Sequence, residues 1–128
     1  MCFFIENMLK NNKRPKPKVA KKDFKVWKII GKDGRGCYYD LKINGHYSPW
    51  KRGYWYYITG EPFKMSFNLS YAIGGECFHS YQTERQCNIC EEFYGHQMIV
   101  TMIIPKGAKY YTNERGEVVS DQIIYPEI

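Results

Sequence analysis

The sequence predicts an α+β fold: a compact, mostly antiparallel, twisted β-sheet with one main helix over about residues 83–94. Three observations predict it. Aromatic residues make up 17% of the chain, with 12 Tyr and 3 Trp, residue types that suit a pleated, half-buried surface. The run Met98-Ile99-Val100-Thr101-Met102-Ile103-Ile104 is long, apolar and rich in β-branched residues, as in a central strand covered on both faces. Thr83-Glu84-Arg85-Gln86 fits a capping box, the local signal for a helix start.

In chain order, residues 1–22 read as an N-terminal basic tail and linker with a short apolar start. Phe3-Phe4-Ile5 with Met8-Leu9 suits a helical turn or a docked edge strand, and Lys13-Arg14-Pro15-Lys16-Pro17-Lys18 is biased away from helix by its prolines. Residues 23–128 read as a single α+β domain, large enough for one core. Phe24 to Ile30 is its first strand, followed by an Asp33-Gly34 turn within 32–36, a second strand at Cys37–Leu41 and a turn at Asn44-Gly45. The most aromatic stretch is Tyr47 to Tyr57. A short element follows at Ser66–Tyr71, and Gly74-Gly75 lets the chain turn into a strand holding Phe78 and His79.

In the helix, Cys87, Cys90 and Tyr94 share one face, Glu84, Asn88, Glu91 and Glu92 stay in water, and Gly95 fits the left-handed position past the end. Pro105-Lys106-Gly107 ends the long strand. Lys109–Thr112 and Val118–Ser120 then flank an Asn113-Glu114-Arg115-Gly116 hairpin turn, and the run to Tyr125 closes the domain.

The formal charge of +6 is unevenly spread. Residues 1–28 hold nine Lys and Arg against Glu6 and Asp23, whereas residues 29–128 hold ten against eleven acidic side chains. Lys13, Arg14, Lys16, Lys18, Lys21 and Lys22 are therefore the candidate nucleic-acid contacts, with a solvated arm as the plainer alternative. No apolar run approaches the ~20 residues that cross a bilayer. The start lacks a basic n-region and a full h-region. A cytoplasmic protein with no membrane partner is the expectation. Five Cys, an odd number without an export signal, favour reduced thiols.

Tyr47, Trp50, Lys51, Arg52, Tyr54, Trp55 and Tyr56, with Lys28, are the candidate ligand-binding residues. Rings interleaved with cations suit stacking of a base or nicotinamide beside a phosphate. The alternative is a twisted strand whose rings pack as cross-strand pairs. Cys77, His79, Cys87, Cys90 and His96 lie close in sequence, but Cys87 and Cys90 fall inside the capped helix, so no metal is assigned. A Cys–His nucleophilic pair, Cys77 with His79 or Cys37 with His46, stays open. There is no Gly-rich phosphate loop and no Ser-nucleophile elbow.

The order of a Phe78-His79-Ser80-Tyr81 strand, a capped helix, a strand ending Ile104-Pro105-Lys106-Gly107 and a late Glu117-Val118-Val119 resembles the second half of mono-ADP-ribosyltransferase-like domains. The resemblance implies NAD as cofactor, Glu117 as the catalytic acid, and His79 or Tyr81 positioning the cofactor. Lys28 stands where an Arg or His would grip NAD, and Gln122 fits the late-strand position as well as Glu117 does. The wording of the strand, the Ile-Pro-Lys-Gly turn and Ser120-Asp121-Gln122-Ile123 is also similar to small proteins encoded by phages of gut bacteria. That likeness implies an accessory protein in the host cytoplasm, with a host protein as partner and a counter-defence role. Three functions are thus expected, in this order. The first is a non-enzymatic module binding a nucleotide-like ligand or host protein, without cofactor. The others are a nucleic-acid contact through the tail and an NAD-using transferase.

Overall fold

The computed structural model describes residues 3–4, 16–31, 42–43, 46–47, 50–58, 61–63, 65–66, 69–73, 77–91 and 97–127. Its strands are β1 (Phe3–Phe4), β2 (Lys18–Val19), β3 (Phe24–Gly31), β4 (Lys42–Ile43), β5 (His46–Tyr47), β6 (Tyr54–Tyr57), β7 (Met65–Ser66), β8 (Leu69–Ile73), β9 (Phe78–Tyr81), β10 (Gln97–Ile104), β11 (Lys109–Thr112), β12 (Glu117–Ser120) and β13 (Gln122–Tyr125). The helix among the described residues, α1, spans Glu84–Glu91. The fold is a sheet-dominated α+β arrangement. An eight-stranded antiparallel sheet has the order β2-β11-β12-β9-β3-β10-β13-β6, beside a three-stranded sheet β1-β8-β7 and the pair β4-β5. The expected strand at 37–41, the turns at 32–36 and 44–45, Gly74-Gly75 and Gly95 lie outside the described residues.

The centre of the large sheet closes into a ring, with β2 and β6 left as the ends of the sheet. β3 pairs with both β9 and β10; β9 pairs with β12, and β10 with β13. Only Asp121 separates β12 from β13, so one bent strand flanks both sides of the β9-β3-β10 unit. Asp121 secures the corner. Its N–H donates to the Lys109 carbonyl at 3.1 Å and its carbonyl accepts the Ile58 N–H at 3.0 Å. Its Oδ1 accepts the Lys109 N–H at 2.9 Å.

Period-two alternation sends one face of each strand into the ring. On β3 that face is Val26, Lys28 and Ile30, and the register sets Val26 against Met102 and Lys28 against Val100. Phe78, Ile104, Val118, Ile123 and Tyr125 complete the core. Each buried aliphatic side chain contributes roughly 1.5–3 kcal/mol, which outweighs the cost of burying a Lys whose stem is itself apolar. On the opposite face α1 lies against β3, β9 and β10. Ile29 and Cys87 are buried there, whereas Lys25 and Thr101, further along the same face, are exposed. The helix therefore covers one half of the outer face and leaves the other half open. A second cluster of Phe63, Cys77, Tyr111 and Val119 packs outside β11 and β12.

The capping signal is seen in place. The Thr83 Oγ1 accepts the Gln86 N–H at 3.3 Å and donates to the Gln86 Oε1 at 2.8 Å. The helix was expected over 83–94; its described part ends at Glu91. In the β11–β12 hairpin, Asn113 Oδ1 accepts the N–H groups of Arg115 and Glu117, both at 3.1 Å, and Gly116 has φ +73°. The end of the basic segment is part of the sheet. Lys18 and Val19 pair with β11, and Ala20, buried, exchanges backbone hydrogen bonds with Ala108 and Gly107 at 2.8 Å. Among the described residues, no helix is long and apolar enough to cross a membrane.

Candidate ligand-binding edge strand

Among the described residues β6 ends the large sheet and pairs on one side, with β13. Its register places Tyr54 beside Tyr125, Trp55 beside Ile124, Tyr56 beside Ile123 and Tyr57 beside Gln122. Alternation then divides the four rings. Tyr56 turns inward and meets Trp50 edge-on at 4.5 Å between centroids, and Trp50 in turn meets Phe78 at 5.9 Å. Trp55 and Tyr57 turn to the outer face and are 56% and 67% exposed. Tyr54 is 55% exposed at the rim. Both expected behaviours of the aromatic stretch occur in one strand: half of it packs and half faces solvent.

The exposed rings are held, not loose. Trp55 Nε1–H donates to Gln122 Oε1 at 3.0 Å. The turn before the strand is fixed by the Lys51 N–H donating to the Tyr56 hydroxyl at 2.8 Å and by the Gly53 N–H donating to the Tyr125 carbonyl at 2.6 Å. Gly53 has φ +86°, a left-handed conformation that favours glycine. The turn presents two cations. The Lys51 ammonium is 6.0 Å from the Tyr54 ring centroid, and the Arg52 guanidinium lies 4.7 Å over the Tyr125 ring. Arg52 commits one N–H to the Pro126 carbonyl at 3.3 Å, out of the five a guanidinium carries. The Glu127 carboxylate lies beside Gly53 and offsets part of this charge.

The structure brings Trp50, Lys51, Arg52, Tyr54, Trp55 and Tyr56 into one unit, and Tyr47 into β5. It removes Lys28 from the surface. Lys28 is 2% exposed, donates to the His79 carbonyl at 2.7 Å and places its ammonium 5.3 Å from the Trp50 ring. Its neighbours in the alternation, Val26 and Ile30, carry it inward, so Lys28 and Trp50 belong to the core. Tyr57, the most exposed ring, and its neighbour Gln122 are absent from the ligand set expected from sequence; strict alternation from Trp55 points to Tyr57.

Three of the transferase-like residues, Glu117, Tyr81 and His79, share one face of adjacent strands, and Lys28 is apart from them. Glu117 is the register partner of Tyr81, and His79 of Val119, on the outer face, while Lys28 faces the ring interior. Glu117 Oε1 accepts the Asn113 Nδ2–H at 3.0 Å, a contact that ties the hairpin together. Cys77 Sγ and His79 Nε2 are 3.8 Å apart, but Cys77 is fully buried against Phe63, Tyr111 and Val119, where no substrate reaches the thiol in this conformation. Cys87 is likewise fully buried. Among the described residues no group of three or more His, Cys, Asp and Glu side chains is placed to hold a metal; His96 lies outside them. Of the tail candidates, Lys16, Lys18, Lys21 and Lys22 are exposed, and Lys13 and Arg14 lie outside the described residues.

No family model, curated protein or solved structure matches the chain.

Proposed function

We propose that the protein is a non-enzymatic binding module whose ligand is nucleotide-like and is held at the β6 edge. The observation that carries this reading is a solvent-facing indole, Trp55, fixed by a hydrogen bond to Gln122, with exposed Tyr57 on the same face and with Tyr54, Lys51 and Arg52 round the edge of the strand on its other side. A large apolar ring in water has an unfavourable hydration that stacking relieves, and base–aromatic stacking is worth roughly 1–3 kcal/mol per base. Lys51 and Arg52 supply the countercharge for a phosphate, and packing over Tyr54 and Tyr125 reduces the side-chain entropy that binding costs. A buried thiol and a carboxylate engaged within its own hairpin favour binding without turnover.

Titration of the whole protein with mononucleotides, dinucleotides and NAD, followed by tryptophan fluorescence and thermal shift, tests the reading. A ligand selective for the native state raises its apparent stability. The expected result is quenching and stabilisation that Trp55→Ala removes and Trp55→Phe largely keeps. Stabilisation unaffected by Trp55→Ala would place the ligand elsewhere. Release of nicotinamide from NAD would replace this reading with the transferase one.

A further inference from the structure

The β6 edge is continuous with a surface on the uncovered half of the sheet. Register pairs join Trp55 to Ile124, Ile124 to Ile103 and Ile103 to Lys25, so one side chain from each of four adjacent strands lines up across the outer face. Three inter-strand steps of about 4.8 Å make this row about 14 Å long. Lys25 places its ammonium 5.2 Å from the Trp27 ring centroid, so the far end of the row repeats the cation-and-indole pairing of the near end.

Two clefts flank this far end. One, of about 190 Å³, is lined by residues including Lys25, Thr101, Ile103 and Pro126, whose carbonyl also holds Arg52. The other, of about 270 Å³, is lined by residues including Lys18, Lys25, Gln82 and Tyr110. They share Phe24 and Lys25, and the second is lined by Val26, Tyr110 and Thr112 of the inner face, so the surface runs from Arg52 past Pro126 to Lys25 and then turns round the end of the sheet to Lys18. The charge along it is mostly positive. Lys18, Lys21, Lys22, Lys25 and Lys106 are exposed at this end, against one carboxylate lining the first cleft, Asp23, which accepts the Lys106 backbone N–H at 2.8 Å.

We infer that the ligand is a single-stranded nucleic acid several nucleotides long, stacked on the β6 edge and carried across the open half of the sheet with its phosphates at Lys25 and Lys18. This rests on the platform reading of Trp55 and extends it. A mononucleotide at Trp55 does not reach Lys18, whereas a polynucleotide meets an indole at each end of the row, isoleucine side chains between them and cations at the far end, and stacking is tolerant of sequence because every base has a flat face. An acidic peptide would use the lysines but not the exposed rings.

The test is fluorescence anisotropy of the full chain with oligothymidylate and oligouridylate of about 2, 6 and 12 nucleotides, bracketing part of the ~4–16 nucleotide range of single-strand sites. Heparin serves as a polyanion without bases, and the two sugars separate DNA from RNA as the source. Affinity is expected to rise with length. Trp55→Ala should weaken every length by roughly 5- to 150-fold, from the stacking contribution. Lys18→Glu with Lys25→Glu should leave the dinucleotide unchanged, weaken the longest oligonucleotide by about tenfold or more, and flatten its log–log salt slope by about 1.4, at about 0.7 per phosphate contact. Affinity independent of length, or unchanged by the double substitution, overturns the extended track and leaves the Trp55 platform standing. Binding of heparin but of no dinucleotide, undiminished by Trp55→Ala, overturns the platform as well. Circular dichroism of each variant separates loss of contact from loss of fold.

Discussion

Gly116 offers a stringent check on how the helix is joined to the sheet. It is buried in the β11–β12 hairpin with φ +73°, and a methyl group built on it coincides with the carboxamide of Gln86. Gly116→Ala therefore has two costs. Holding a residue with a Cβ in the left-handed region costs about 1–2 kcal/mol. Displacing the Gln86 carboxamide breaks its 2.8 Å hydrogen bond from the Thr83 hydroxyl, worth about 0.5–1 kcal/mol. The sum is about 1.5–3 kcal/mol. At about 2.1 cal/mol/K per residue, 128 residues unfold with an entropy of ~0.27 kcal/mol/K, so Tm should fall by about 6–11 °C. Differential scanning calorimetry of Gly116→Ala, Gln86→Ala and the double variant measures both parts in one cycle. In the Gln86→Ala background the glycine substitution should cost about 0.5–1 kcal/mol less, because only the backbone cost remains. An identical cost in both backgrounds would refute the steric coupling, and no cost in either would refute the left-handed turn.

Other outcomes follow from the same geometry. Ser80 and Ser120 bury hydroxyls with no hydrogen-bond partner, so Ser80→Ala and Ser120→Ala should each hold or raise Tm, by up to about 4–8 °C for 1–2 kcal/mol; a fall would reveal a hydrogen bond worth keeping. Asp121→Ala removes the acceptor of the Lys109 N–H and should cost about 1–2 kcal/mol in urea unfolding, with Asp121→Asn costing less because its side-chain oxygen still accepts. At Gly53, Ala should cost about 1–2 kcal/mol and Asn less, since Asn tolerates the left-handed region. Thiol labelling mapped by mass spectrometry should leave Cys77 and Cys87 unmodified until denaturant is added, as both are fully buried.

Local features of this fold were legible in the sequence. The Thr83–Gln86 cap, the apolar β10 run and the Asn113–Gly116 turn each depend on residues close in the chain, and each appears where its signal lies. Closure of the ring was not legible. Residues 118–125 read as one closing element, and nothing local announces that its halves pair on opposite sides of β9-β3-β10. Lys28 was misplaced because a lysine in a strand normally marks the wet face, yet Val26 and Ile30 at two-residue spacing already fixed its direction inward. A two-residue strand has no periodicity to read, so Lys18–Val19 looked like an arm. The ligand edge was half legible: composition located the rings, but only register separates Trp55 and Tyr57 from Tyr56 and Trp50.

The bent strand through Asp121 also sets an order of assembly. β3 can be synthesised early, yet its partner β10 comes far later in the chain, and β10 and β9 gain their remaining neighbours only with β12 and β13. Such non-local pairing requires closing a long loop before any contact rewards it, which slows folding. The inner faces of β3 and β10 meet their partners on β12 and β13 only once residue 125 has been made, so folding is expected to finish late in synthesis. Destabilising the Asp121 corner should then speed unfolding if that corner forms last, and slow folding if the ring nucleates there.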